Sequence, residues 1–236
     1  MSIHPFGVMC FCGFIFGMIR ARSYAKKLGF DEVFIAQLFL TIVGGGVCGS
    51  LLFSLFAYKV FGQSLVGAVV GGGIAVTAFC LLKKLSVRAC KMALDITAMS
   101  AVVGFGMGRV GCFFAKDHPG VFSNFFLAVQ YPDGRRHDLG LYEALFFWIV
   151  LFPVTSILSR KTVKNKKASG QICAAFIILY AIIRFFLDFL RESRLPTADV
   201  RYFGLTPAQY VALVAIFTAL VLRMISVFRG KGDVKK

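Results

Sequence analysis

Seven stretches of this chain are apolar over the length needed to cross a lipid bilayer: residues 3–19, 34–58, 63–82, 92–114, 140–159, 170–189 and 206–226. A spanning helix needs about 20 such residues. In hydrocarbon each backbone N–H and C=O must be bonded inside its own segment, so a run of that length resolves to a helix. The expected fold class is therefore all-α: a polytopic membrane protein with seven transmembrane helices, forming one integral-membrane domain over residues 1–236. The connections, roughly 15–25 residues at most, are too short to enclose a core of their own. Only 16% of the residues are charged, against about 25% in an average soluble domain.

The chain is nevertheless strongly basic, with a formal net charge of +16. Nucleic-acid binding would explain that, and so would membrane topology. The distribution decides between them. Arg20, Arg22, Lys26 and Lys27 follow the first stretch; Lys83, Lys84, Arg88 and Lys91 follow the third; five basic residues from Arg160 to Lys167 follow the fifth; Arg223, Arg229, Lys231, Lys235 and Lys236 close the chain. These alternate connections hold eighteen basic residues, and the others hold seven. The positive-inside rule then places the N-terminus outside and the C-terminus in the cytoplasm, and no nucleic-acid partner is implied. The basic residues follow the first stretch rather than precede it, so it reads as a span and not a cleaved signal. Lys161 to Lys167 read as an anchor beside anionic lipid.

Two arginines remain, Arg109 and Arg184, both inside predicted spans. Burying an ionisable group in hydrocarbon is costly, so such residues are functional candidates by default. Asp95, Glu143 and Asp188 also fall in spans. Arg109 lies fourteen residues beyond Asp95, about 21 Å at 1.5 Å per residue. Arg184 and Asp188 form an i, i+4 pair on one helix face. With the alternation of spans, Arg109, Arg184, Asp188, Glu143, Tyr142 and His137 all fall in the outer leaflet or at its surface. Two arginines can grip one phosphate by charge-assisted hydrogen bonds. Arg109–Glu143 and Arg184–Asp188 ion pairs that only fix helix packing are the other reading of the same placement.

Sequence motifs add to this. Gly108-Arg109-Val110-Gly111-Cys112-Phe113 resembles the glycine-arginine-x-glycine-asparagine/cysteine-phenylalanine signature of prolipoprotein diacylglyceryl transferases. His137-Asp138-Leu139-Gly140-Leu141-Tyr142-Glu143 is similar to that family's histidine-proline-threonine-glutamine-leucine-tyrosine-glutamate motif. Arg184-Phe185-x-x-Asp188-Phe189-x-Arg191-Glu192 and Leu205-Thr206-Pro207-Ala208-Gln209 resemble its two later motifs. The family's histidine near the third span is absent; the matching stretch is Gly62-Gln63-Ser64-Leu65-Val66-Gly67.

The resemblance implies a multi-pass enzyme of the bacterial inner membrane, with its active site facing the outer leaflet. It implies transfer of the diacylglyceryl group of phosphatidylglycerol to the lipobox cysteine thiol of a prolipoprotein signal peptide, with glycerol phosphate leaving. No metal and no cofactor are expected. Arg109, Arg184, His137 and Glu143 are the implied catalytic residues. Arg109, Tyr142, Asp188, Arg191, Gly108, Gly111 and Gln209 are the implied substrate-binding residues. A related lipid-modifying transferase with another acceptor, and a transporter using the intramembrane charges, are the alternatives.

The remaining features have plainer readings. Gly44–Gly46 and Gly71–Gly73 sit mid-span, where small residues let helices approach closely. The seven cysteines are scattered without a CxxC pair and mostly read as small apolar residues. Cys112, three residues after Arg109, is the one reactive-thiol candidate. His4 and His118 read as solvated.

Overall fold

The computed structural model describes residues 5–59, 64–165, 169–194 and 200–232. His4, Gly62, Gln63, Lys166, Lys167, Lys235 and Lys236 lie outside the described residues.

Helix α1 spans Pro5–Leu28, α2 Glu32–Tyr58, α3 Leu65–Leu82 and α4 Val87–Ala115. Helix α5 runs Leu139–Lys164, α6 Gln171–Leu187 with a 3₁₀ turn to Leu190, and α7 Pro207–Gly232. Among the described residues, six of these are long and apolar enough to span a bilayer. The exception is α7, whose described apolar part, Pro207–Ala219, is shorter than the expected 206–226 span.

Most helices outrun their expected limits, because capping rather than hydropathy stops them. Helix α1 carries Arg20, Arg22, Lys26 and Lys27 within it and ends at Gly29, with φ +92°. Gly29 N donates to Lys26 O at 3.0 Å and Phe30 N to Ala25 O at 3.2 Å, the paired bonds of a Schellman stop. Asp31, Ser64, Ser86 and Asp138 each accept an N–H from the first turn of the helix they open. Thr206 and Gln209 make a reciprocal capping box at the start of α7: Thr206 N donates to Gln209 Oε1 at 2.9 Å and Gln209 N to Thr206 Oγ1 at 3.2 Å.

The all-α expectation needs correcting. Between α4 and α5 lies a three-stranded antiparallel sheet of β1 (Pro119–Phe122), β2 (Val129–Tyr131) and β3 (Gly134–Asp138), in the order β1-β3-β2. Tyr131 pairs with Gly134 across the tight β2–β3 turn, and Gly134 takes a φ of +138° there. The segment is too polar for a span and too short to form a separate domain. It folds as a flap on the helix bundle, joined to the segment after α6 by a Gly120–Arg191 bridge.

Glycine sets two of the helix crossings. A Cβ on Gly45, Gly49, Gly67 or Gly71 would collide with the facing helix, so α2 and α3 pack backbone to backbone. Gly13 meets Gly104 and Gly17 meets Ser100, which locks α1 antiparallel to α4. Helix α5 is interrupted by a π turn at Phe147–Leu151, just ahead of Pro153. A proline there has no N–H for the preceding turn. Arg20 of α1 docks beside it, donating to Phe152 O (3.3 Å), Thr155 Oγ1 (2.8 Å) and Ser156 Oγ (3.0 Å).

The core joins Ala21 and Tyr24 of α1, Leu38 of α2, Val76 of α3, Ile96 and Val102 of α4, Phe147 and Leu151 of α5 and Ile172 of α6. Leu40, Phe56, Ile74, Ile149 and Phe217 are exposed on outward faces. That placement is unfavourable in water and suits a helix bundle solvated by lipid.

Candidate functional site

Helices α4 and α6 run parallel, and their polar residues keep the same interval. At one end the Asp95 carboxylate accepts Gly170 N at 2.7 Å and Cys173 N at 2.9 Å. Fourteen residues further along each helix, Arg109 and Arg184 meet over one carboxylate, that of Glu143 from the first turns of α5. Arg184 Nη1 donates to Glu143 Oε1 at 2.6 Å. Arg109 Nε lies 2.8 Å from Glu143 Oε2, an ion pair outside hydrogen-bond alignment. Tyr180 adds a long hydrogen bond, 3.4 Å, to the same oxygen. Glu143 is fully buried and the two arginines nearly so.

The cluster continues in both directions. Arg184 Nη2 lies 2.9 Å from Asp188 Oδ1, the expected i, i+4 pair, and Arg191 Nε lies 3.6 Å from the same oxygen. Thr206 donates to the other Asp188 oxygen, and Arg201 donates to the Asp188 carbonyl at 3.0 Å. On the opposite side, Arg109 Nη1 is 2.9 Å from His118 Nε2, and His118 Nδ1 is hydrogen-bonded to Asp117. A proton on Nδ1 shared with Asp117 leaves Nε2 as the acceptor from Arg109. Burial pulls the His118 imidazole below its ordinary range, the nearby Asp117 only partly opposing it. Burial pushes Asp117 up, but the His118 hydrogen bond and the Arg109 charge outweigh it, so this carboxyl sits low.

Several expected site residues lie elsewhere or do something else. His137, on β3 of the flap, is hydrogen-bonded through Nδ1 to Tyr142 OH at 2.6 Å and packs beside Phe125, as a separate pair. Among the described contacts neither residue touches the arginines. Gln209 is fully buried and occupied by the capping box and by Phe185 O at 2.9 Å, which makes it a structural brace between α6 and α7. Gly111 is a helix contact, since a Cβ there would lie 3.1 Å from Phe6 Cα and from Met9 Cβ. At Gly108 the same Cβ would meet nothing within 4 Å, so that side of α4 is open beside Arg109.

Sequence reasoning missed four participants. His118, expected to be solvated, sits against Arg109; its only sequence signal was the adjacent Asp117. Arg136, counted as a loop charge, is buried: it binds Asp133 (2.7 Å), Glu192 (3.1 Å) and Gly120 O (2.9 Å) and stacks 3.7 Å from the Phe122 ring. It ties the flap to the end of α6. Glu192 in the third motif was the only sequence hint of that tie. Thr206 stood in the fourth motif without a role, and Tyr180 had no signal.

Cys112, Asp117 and His118 place their ligand atoms within 4.8 Å of one another. The donor types would suit a metal ion, but the Arg109 guanidinium on the same imidazole repels a cation. Next to Arg184 an apolar groove of about 60 Å³ opens between α3, α6 and α7, walled by Val66, Val69, Phe176, Ala208, Val211 and Ala212. Tyr180 and Arg184 line it with their apolar atoms. The arrangement thus joins a slot for hydrocarbon to two guanidiniums that can take an anion.

Comparison with known proteins agrees with this chemistry. The family model described as prolipoprotein diacylglyceryl transferase matches residues 1–225. The phosphatidylglycerol–prolipoprotein diacylglyceryl transferase of Ehrlichia canis (strain Jake) is 30% identical over 226 residues, covering 86% of this chain and 85% of that protein. The proteins of the same name from Clostridium tetani and Campylobacter lari are 26% and 28% identical, covering 97% and 94% of this chain and 95% and 89% of their own lengths.

Proposed function

The chain belongs to the prolipoprotein diacylglyceryl transferase family, and we propose that its Glu143-bridged arginine pair carries out that family's transfer from phosphatidylglycerol to a prolipoprotein. The observation that carries this reading is the pair of buried guanidiniums, Arg109 and Arg184, held side by side on the Glu143 carboxylate. Two guanidiniums on neighbouring helices can grip one phosphodiester monoanion by charge-assisted hydrogen bonds. Glu143 holds the two arginines side by side, and the low-dielectric surroundings strengthen their hold on an anion. The small apolar groove beside Arg184 offers contact to the first methylenes of an acyl chain of the same lipid.

In the transfer, the thiolate sulfur of the acceptor cysteine attacks the diacylglyceryl carbon that carries the phosphate ester. The S–C bond forms as the C–O bond breaks, and glycerol phosphate leaves with the electron pair. Arg109 and Arg184 stabilise the charge that grows on the departing phosphate. His118, fixed by Asp117, removes the thiol proton. A phosphate that draws Arg109 toward itself releases His118 Nε2, so lipid binding readies the base. The third-span position where the family carries a histidine is Ser64-Leu65-Val66 here; Ser64 caps α3 and Val66 walls the lipid groove. The base therefore comes from the other side of Arg109. His137 and Tyr142 shape the flap that covers the site.

The charge count supports an orientation with the N-terminus outside and the C-terminus in the cytoplasm; on this reading the cluster faces the outer leaflet of a bacterial inner membrane, α7 completes seven crossings and the whole chain is one membrane domain. The acceptor is then a lipobox peptide presented from the outer leaflet. Purified protein in phosphatidylglycerol micelles should lipidate such a peptide. Arg109→Ala and Arg184→Ala should each lose about 10²–10³-fold in rate. Full activity in either variant would overturn the assignment. Lipid consumed without peptide acylation would point to a different acceptor.

A further inference from the structure

A second cavity lies away from the arginine cluster. It has a volume of about 550 Å³ and lies at the other end of the bundle, between the last turns of α1, the α4 segment at Met99 and the end of α5. Its wall combines Arg20, Lys27 and Arg160 with Ser23, Ser159 and Tyr24. That volume falls in the range of about 300–1,000 Å³ typical of small-molecule sites. We propose that this cavity binds the phosphate of an anionic phospholipid headgroup, at a site separate from the transfer centre.

Charge is the first argument. Three cationic side chains line the cavity, and among the described residues none of them is ion-paired to a carboxylate. Asp95, close enough to act on Tyr24, is already capped by Gly170 N and Cys173 N. The other acids near this end of α1 are engaged elsewhere, Glu32 by Arg22 and Lys26 and Asp31 by the Phe34 N–H at 2.7 Å. At the Arg109 cluster every buried guanidinium faces a carboxylate; here the positive charge is left uncompensated.

Rigidity is the second. Arg20 is pinned by Met99 O, Phe152 O, Thr155 and Ser156 and stacks 4.3 Å from the Phe152 ring. A ligand there meets a pre-positioned charge rather than a flexible one, so little side-chain entropy is lost on binding. Ser23 adds a hydroxyl to the wall, while the Ser159 hydroxyl already donates to Ser156 O at 2.8 Å. Tyr24 is only 3% exposed, with its hydroxyl beside Thr162.

The surroundings select a lipid. Ile19, Met99 and Val163 complete the wall, and Ile19 is exposed on the outer face of α1. An acyl chain can therefore lie against the bundle while its phosphate enters between Lys27 and Arg160. Basic pockets between helices on the cytoplasmic side are known habitats of anionic headgroups. By the sequence charge count this is the cytoplasmic end of the helices.

The test uses a lipid probe and the full chain. Detergent-purified protein is incubated with cardiolipin, phosphatidylcholine or inorganic phosphate, and bound species are counted by native mass spectrometry. Cardiolipin should be retained and phosphatidylcholine should not. The double variant Lys27→Ser, Arg160→Ser alters two exposed side chains far from the transfer centre. It should lower cardiolipin retention about tenfold or more while leaving peptide lipidation unchanged. Arg109→Ala should retain cardiolipin as the wild type does, which separates this site from the arginine cluster. Inorganic phosphate bound through the same two residues, and competing with cardiolipin, would uphold the phosphate site and show that free phosphate also fills it. Equal retention by wild type and double variant, or equal retention of phosphatidylcholine, would overturn the proposal.

Discussion

Two carboxylates on neighbouring helices show how burial and function part company. Asp95 and Glu143 are both fully buried, and each lies where α4 meets α6. Asp95 is satisfied by two neutral backbone N–H groups at the start of α6. Glu143 is satisfied by two guanidiniums that arrive on different helices. The first arrangement is closed: it ties one helix start to another and leaves nothing for a ligand. The second holds like charges together that would otherwise separate, so it stores the capacity to bind an anion. A buried acid in a membrane protein is thus informative only through its partners.

The sharpest way to break this contrast is Glu143→Gln. Removing the bridging charge leaves Arg109 and Arg184 to repel each other in a low-dielectric site. Peptide lipidation should fall by about 10²-fold or more, and breaking a buried pair should cost about 3–5 kcal/mol of stability. A Gln variant with near wild-type turnover and melting temperature would erase the distinction from Asp95.

Arg184→Lys tests the geometry rather than the charge. One ammonium cannot serve Glu143 and Asp188 together as the guanidinium fork does. A loss of about 10–100-fold in rate is expected, roughly 1.4–2.8 kcal/mol of transition-state stabilisation. Full activity would mean that only the charge counts.

His118→Gln should slow the reaction by at least about 10²-fold, the range typical of losing a general base. The pH profile carries the sign. Burial keeps this imidazole below its usual value of about 6.5, so it is already neutral and able to accept a proton at pH 7. Activity should decline as pH falls through that lowered value, while Asp117, held low, stays ionised across the limb. The Gln variant should lose the limb. An acid limb that persists would move the base elsewhere, with His137 the next to test.

Asp95→Asn is the mild counterpart. One amide oxygen can still accept an N–H, but the charge-assisted cap is gone. Stability should drop by about 1–3 kcal/mol, read as a lower melting temperature. Turnover at 25 °C should stay within about threefold of wild type, a change of under about 1 kcal/mol in the barrier. A tenfold or larger fall in turnover would make Asp95 part of the site.

Much of the candidate site is legible in the residue order because hydrocarbon punishes charge so heavily. Arg109, Glu143, Arg184 and Asp188 stand out as ionisable groups in apolar segments, and the motifs around them add the chemistry. The Arg184–Asp188 pair follows directly from helical spacing. His118 and Arg136 did not stand out, because both lie in the polar connection after α4, where charge costs nothing locally. Only the folding of that connection into a flap brings His118 against Arg109 and buries Arg136 against Glu192. Gln209 shows the opposite ambiguity. A polar residue at the head of an apolar helix is equally suited to a ligand or to a capping box, and spacing alone cannot separate the two uses.

By itself the residue order determined that this chain builds helices through a bilayer, where most of them lie, and which charges would be too expensive to bury without purpose. Those outcomes rest on local rules: solvation of apolar side chains, helical periodicity and the cost of an unpaired charge. Tertiary structure decided that Glu143 bridges two arginines, that His118 rather than His137 stands behind them, and that a basic cavity lies at the far end of the bundle. Each depends on residues distant in sequence meeting in a medium of low dielectric, where the choice of partner, and not the residue type, sets the energy.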